Sequence, residues 1–190
     1  HFRYEVPGFG YALLTNPRSV KTGGNVRIEL ANPEFVKDSP FKGKIRVDFP
    51  ASPEREYIAA VHPGVEISAP VSYLIRRDRG KDGTSVFTKV IRVLEDGATD
   101  PVAGVETLNG RSDDPLARAC RVVRSDGGSD LWLTGKLELA AAGKLPAIAS
   151  DARLALLVFD REGKLCHLRA TGLKQLEAGA FRQHGAGELR

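Results

Sequence analysis

Arginines near the middle of the chain are the clearest candidates for binding chemistry. Arg76, Arg77 and Arg79 stand almost together, and Lys81 follows them. A planar guanidinium matches the oxygens of a carboxylate or a sulfate, so this cluster could contact a polyanion. A charged hairpin end that resists edge-to-edge pairing would have the same composition. Both interpretations stay open at this point, and the second is the commoner one.

The histidines and cysteines show no metal-ligand spacing. Cys166 and His167 are adjacent, but neighbours on a strand point to opposite faces and cannot easily share one ion. We expect Cys166 to pack inward with Leu168 and Ala170, and His167 to face outward. Two buried thiols, with Cys120 as the other, are favoured over a single disulfide because free cysteine packs as a small apolar residue. No metal ligand and no cofactor are assigned.

Motifs for nucleophilic or phosphate chemistry are also missing. There is no G-x-S-x-G pattern, and the glycines of residues 8–10 are too close together for a phosphate cradle. Asp113, Asp114 and Asp126 lack EF-hand spacing and are interpreted as turn formers. A triad is set by spatial arrangement, so sequence alone does not test for one. We assign no catalytic residue.

Composition narrows the class of partner. The 190 residues are 42% hydrophobic and 27% charged, which is ordinary for a globular protein. The net charge of +4 is scattered along the chain, which argues against a nucleic-acid partner and suits an acidic polysaccharide. The longest strongly apolar run, Leu154–Phe159, is far below the about 18 residues that span a bilayer, so no membrane span is expected. With no methionine and no signal peptide, we expect a processed or excised piece of a larger protein.

Alternation with period two predicts strands that position these residues. Residues 2–6, 26–30 and 45–49 each place apolar side chains on one side, and Asp48 is expected on the wet face. Turn clusters rich in proline, glycine and asparagine separate such runs. The sequence predicts an all-β fold, an antiparallel β-sandwich with many short strands and hairpins and little or no helix. Residues 137–142 are interpreted as a strand end plus a loop.

Hairpins are predicted in the second half of the chain. They join residues 71–77 to 84–94, 117–124 to 130–134, and 154–159 to 164–170. Leu154–Phe159 is apolar on both faces, so it is expected to be a central strand that is covered on each side. We divide the chain into a first sheet portion, residues 1–110, and C-terminal hairpins, residues 111–190, that pack on it.

The order of these patterns resembles the C-terminal β-sandwich portion of heparinase II/III-like polysaccharide lyases. The similar segments, in order, are residues 1–10, 73–77, 85–91, 105–108, 121–123, 126–128, 130–133 and 154–159 with Asp160 and Gly163. The resemblance is one of pattern and order over nearly the whole chain. It implies an upstream helical toroid and β-elimination on uronic-acid-containing polysaccharides, with a general base and a tyrosine or histidine lying upstream.

This chain lacks the His-x-His-Ala-Asp-like segment of that family, so no catalytic or metal residue is carried over to it. Tyr4, Tyr11, Tyr57 and Tyr73 are interpreted as core or strand residues. The resemblance implies a supporting or substrate-positioning role, with an acidic polysaccharide and the N-terminal catalytic domains of the same protein as partners. It also implies a periplasmic or secreted location.

A non-catalytic carbohydrate-binding or structural module is the alternative. Binding modules of this kind usually display an exposed aromatic side chain, and Trp132 is the only tryptophan. Because Trp132 lies between Leu131 and Leu133, it is expected to face away from the side that those two leucines share.

Overall fold

Strands form all of the regular secondary structure that is described. The computed structural model describes residues 2–6, 10–31, 43–51, 55–62, 71–77 and 86–189. Every strand pair in these ranges is antiparallel, which confirms the predicted all-β class. None of these ranges contains a helix long and apolar enough to cross a membrane. The chain divides into two units, His1–Thr99 and Asp100–Arg190.

Unit 1 contains two sheets. Its strands are β1 (Phe2–Val6), β2 (Gly10–Thr22), β3 (Val26–Ala31), β4 (Gly43–Phe49), β5 (Arg55–His62), β6 (Val71–Arg77) and β7 (Val90–Glu95). One sheet has the order β1-β2-β5-β6 and the other has the order β3-β4-β7. The predicted hairpin between residues 71–77 and 84–94 is therefore wrong, because β6 pairs with β5 and β7 pairs with β4. Alternation identifies a strand, but it does not identify the neighbour that the strand pairs with.

The core of unit 1 lies between these sheets. Val47 and Phe49 of β4 are buried against Tyr57 of β5. On the opposite face of β4, Asp48 is also buried, although alternation predicts it on the wet face. Its carboxylate pairs with Arg92 and, at 2.6 Å, with Arg27. Two guanidinium partners compensate the loss of water around this carboxylate, which is why a charged residue can be buried here.

Unit 2 is one nearly closed, barrel-like sheet. Its strands are β8 (Val102–Leu108), β9 (Arg118–Arg124), β10 (Ser129–Thr134), β11 (Leu137–Leu139), β12 (Ile148–Ser150), β13 (Leu154–Phe159), β14 (Leu165–Ala178) and β15 (Phe181–Leu189). The predicted β9–β10 and β13–β14 hairpins are confirmed, and so is the short strand at the start of residues 137–142. Because β8 pairs with β9, this unit begins before residue 111.

The inner face of this sheet forms the core of unit 2. Leu131 and Leu133 of β10 and Leu157 and Phe159 of β13 are fully buried there. β13 lies between β10 and β14, so its predicted central position is confirmed. The prediction that both of its faces are covered is wrong at Leu154, which is 42% exposed on the outer face.

Candidate functional site

Arg76 is held among aromatic rings in unit 1. Its guanidinium carbon lies 5.9 Å from the ring centre of Phe49, 5.8 Å from that of Tyr57 and 4.8 Å from that of Phe87. Burial lowers the pKa of Arg76, and cation–π attraction to the rings offsets part of that cost. This side chain therefore has a packing role in unit 1.

The other two arginines of the predicted cluster are not brought into a described site with Arg76. The backbone of Arg77 pairs with that of Glu56 across β5 and β6, and Arg79 lies outside the described residues. A polyanion contact formed by all three arginines stays a prediction. Tyr57, interpreted as a core residue, is indeed buried, with 2% of its surface exposed.

The outer face of unit 2 presents an aromatic side chain that the sequence singles out. Trp132 is 42% exposed, whereas its neighbours Leu131 and Leu133 are fully buried on the other side of the strand. The predicted orientation of Trp132 is therefore confirmed. Strand pairing places Leu156 of β13 directly beside it, and the next strand places Arg169 of β14 beside Leu156.

These residues form a row that crosses three strands. We define the Trp132 face as Trp132, Leu154, Leu156, His167 and Arg169. Leu154 is exposed, Leu156 is half-buried, and both belong to the same outer side of β13. Neighbouring strands lie about 4.8 Å apart, so the backbones of Trp132 and Arg169, which are two strands apart, are separated by about 10 Å. An aromatic ring, an apolar strip and a cation thus follow one another across the sheet.

The cationic end of the Trp132 face is a pair of exposed side chains. Arg169 Nε donates a hydrogen bond to His167 Nε2 at 3.1 Å. The guanidinium is the donor and the imidazole nitrogen is the acceptor in this contact. No ion pair involving Arg169 occurs among the residues that the structure describes. Its guanidinium is therefore available to an anionic ligand.

An acidic residue on the same strand as Trp132 is ion-paired. Asp130 lies two residues before Trp132 on the same face of β10, and its carboxylate pairs with Arg124 of β9. Arg124 also contacts Asp126 at 3.2 Å, and the backbone N–H of Gly128 bonds Asp126 and lowers the pKa of that carboxyl. These contacts hold the β9–β10 turn, which confirms Asp126 as a turn former.

The two thiols lie in different environments. Cys120, beside Trp132 on β9, is buried, and burial raises the pKa of its thiol to about 11. Cys166 is a free, exposed thiol, so the expectation that it packs inward is wrong. The register shifts between Val158 and Phe159, which pair with His167 and Leu165. This β-bulge makes Cys166 the extra residue and breaks the alternation on which the prediction rested.

Metal-ligating side chains do not gather in the part of the chain that the structure describes. Within the ranges that the structure describes, no group of three or more His, Cys, Asp or Glu side chains could hold a metal ion. Asp114 accepts a hydrogen bond from the backbone of Leu116 at 2.8 Å, as expected for a turn former. Trp132 and Arg169 present an exposed ring and an exposed guanidinium, which a ligand could contact.

Sequence reasoning found Trp132 but missed the residues beside it. Leu156 and Arg169 become its neighbours only through strand pairing, and the signal for that pairing is the β13–β14 hairpin together with its bulge. Comparison with family models, curated proteins and solved structures gave no match.

Proposed function

We propose that the chain is a non-catalytic β-domain whose Trp132 face binds an acidic polysaccharide. The observation that carries the proposal is the exposure of Trp132 in one cross-strand row with Leu156 and Arg169, a cation with no ion pair among the described residues. A large exposed aromatic side chain on an outer sheet face has a cost in water that ligand stacking would remove.

The chemistry of the row selects for sugar acids. The flat ring of Trp132 suits the C–H face of a pyranose, and the planar guanidinium of Arg169 suits a carboxylate. With about 10 Å between them, Arg169 reaches a sugar other than the one on Trp132. The row therefore favours an oligosaccharide with a repeated carboxylate over a single sugar.

Titration with a polyuronate oligosaccharide tests this function. Because Trp132 is the only tryptophan, its fluorescence reports directly on the site. We expect a saturable change in emission, and we expect Trp132→Ala, followed by calorimetry, to weaken binding roughly tenfold. Arg169→Gln should weaken binding of the uronate but leave binding of its carboxyl-reduced form unchanged.

A matched variant separates this site from general charge attraction. Arg161 lies on the β13–β14 turn and is exposed, like Arg169, but is paired with Glu162. Arg161→Gln removes the same charge and should leave the affinity unchanged. Equal losses from the two arginine variants, or an emission spectrum that ignores the oligosaccharide, would contradict the proposal.

The parent protein is a separate part of this proposal. The order of the sequence patterns supports membership in a heparinase II/III-like lyase that cleaves uronic-acid polysaccharides by β-elimination, in the periplasm or outside the cell. In that setting the chain holds substrate while residues upstream do the chemistry. An assay for unsaturated uronate, which absorbs in the ultraviolet, should detect no turnover by these 190 residues alone. Robust turnover would contradict the supporting role.

A further inference from the structure

Strand β7 presents its apolar side chains to solvent. Ile91 is 53% exposed and Val93 is 63% exposed, although their cross-strand partners on β4, Val47 and Ile45, belong to the core cluster of unit 1 or pack against it. Among the described residues, β4 is the only strand that pairs with β7, which makes β7 an edge of its sheet. An apolar edge of this kind is a template for pairing with another strand.

Charged residues stand at the two ends of this exposed strip. Glu95 follows Val93 by two residues on the same face of β7, and Lys89 stands one residue before the strand begins, two residues before Ile91. An extension of β7 by one residue on pairing would place Lys89 on that face as well. Lys89 and Glu95 are both exposed. The strip therefore reads, from one end to the other, as a cation, two apolar side chains and an anion. A second copy of this strip that runs antiparallel to the first would place its anion opposite the cation and its apolar side chains opposite the apolar side chains.

We propose that β7 pairs antiparallel with β7 of a second copy of this chain, around a twofold axis at Arg92. This register places Lys89 of each copy opposite Glu95 of the other, and Ile91 opposite Val93. On the other face it places Val90 opposite Leu94. Opposite charges and apolar side chains in directly facing positions both stabilise an antiparallel pair, and a twofold contact repeats each of them.

The twofold axis leaves few alternative registers. Residues that face each other in an antiparallel pair point to the same side of the sheet, so the twofold axis must pass through a residue. Moving the axis to the next residue shifts one strand by two residues relative to the other. One slip places Ile91 opposite Ile91 and Lys89 opposite Val93. The other places Val93 opposite Val93 and Ile91 opposite Glu95. Only the register centred on Arg92 joins both charges and both apolar residues.

Arg92 is the one position where like charges face each other. Its side chain lies on the opposite face from Ile91 and is buried against Asp48 of its own chain. The same sheet already tolerates Arg46 directly opposite Arg92, with Glu29 bonded to Arg46 at 2.7 Å and Asp48 paired with Arg92. In the proposed dimer, Arg92 of each copy is likewise paired with Asp48 of its own chain.

Sedimentation velocity of the 190-residue chain over a concentration series tests the pairing. We expect a reversible dimer, and we expect Lys89→Glu to raise its dissociation constant roughly tenfold, because two attractive pairs become repulsive. The double variant Lys89→Glu with Glu95→Lys reverses both charges and should return the constant to within about threefold of the original. Val93→Lys places a charge in the apolar strip and should give a monomer.

Controls keep the result specific to β7. Leu116 is 50% exposed and lies in unit 2, so Leu116→Lys adds the same charge elsewhere and should leave the dimer intact. A chain that stays monomeric up to about 1 mM overturns the proposal. A dimer that ignores Lys89→Glu, or one that the double charge reversal does not restore, overturns it as well.

Discussion

A pair of leucines on one strand tests the inner and outer assignment of the unit 2 sheet. Leu157 and Leu154 both lie on β13, but Leu157 is fully buried in the core and Leu154 is 42% exposed on the outer face. The same change, leucine to alanine, therefore removes the same atoms from two environments. A barrel-like sheet with a packed interior requires very different costs for the two variants.

The expected magnitudes follow from burial. Leu157→Ala leaves a cavity among Leu131, Phe159 and other core residues that are fully buried, and such substitutions cost about 2–5 kcal/mol of unfolding free energy. Leu154→Ala removes a partly exposed side chain and leaves no closed cavity, so its cost should stay below about 1 kcal/mol. The difference between the two variants is therefore about 2 kcal/mol or more.

Urea unfolding followed by tryptophan fluorescence measures this difference. Trp132 is the only tryptophan and lies in unit 2, so its emission reports unfolding of that unit. With a urea dependence of about 1–3 kcal/mol per molar, Leu157→Ala should lower the midpoint by about 0.7 M or more relative to Leu154→Ala. Equal midpoints for the two variants, or a lower midpoint for Leu154→Ala, would refute the assignment of faces.

Further predictions concern a turn and the thiols. Gly163 has a φ of +84°, and a Cβ there would collide with the carbonyl oxygen of Lys144, whereas a Cβ at Gly143, with a φ of +59°, would meet open space. In thermal unfolding, Gly163→Ala should therefore cost about 1 kcal/mol or more of unfolding free energy beyond the cost of Gly143→Ala. Equal losses from the two variants would contradict this. At pH 8 an aromatic disulfide reagent should modify Cys166 alone in the folded chain and both thiols in urea, because a pKa of about 11 leaves about one in a thousand of the Cys120 thiols ionised. Cys166→Ser should abolish the reaction of the folded chain, and rapid labelling that persists in this variant would count against the burial of Cys120.

The sequence was most informative where structure is local. Glycine-rich and polar turns at residues 125–128 and 160–163 join strands that are adjacent in sequence, so both hairpins could be predicted. Alternation likewise predicted the outward orientation of Trp132, because Leu131 and Leu133 required the opposite face. Such features depend on a few neighbouring residues, whose turn and rotamer preferences act over short distances.

Pairing between distant strands was beyond such reasoning. β6 and β7 follow each other in sequence but belong to different sheets. Alternation does not reveal this, because an alternating strand can pair with many others and the packing of the whole unit decides which pair forms. Asp48 is buried only because Arg27 and Arg92, from two other strands, converge on it. Its alternation by itself indicated a solvent-exposed position.

Cys166 and Arg169 show the same division at the candidate site. Alternation placed Cys166 inward, and a single inserted residue in β14 turned it to solvent. The sequence by itself determined the all-β class, two of the three predicted hairpins and the outward orientation of Trp132, because these follow from local alternation and turns. Only the tertiary structure placed Arg169 in one row with Trp132, since that row exists through hydrogen bonds between strands and has no signature along the chain.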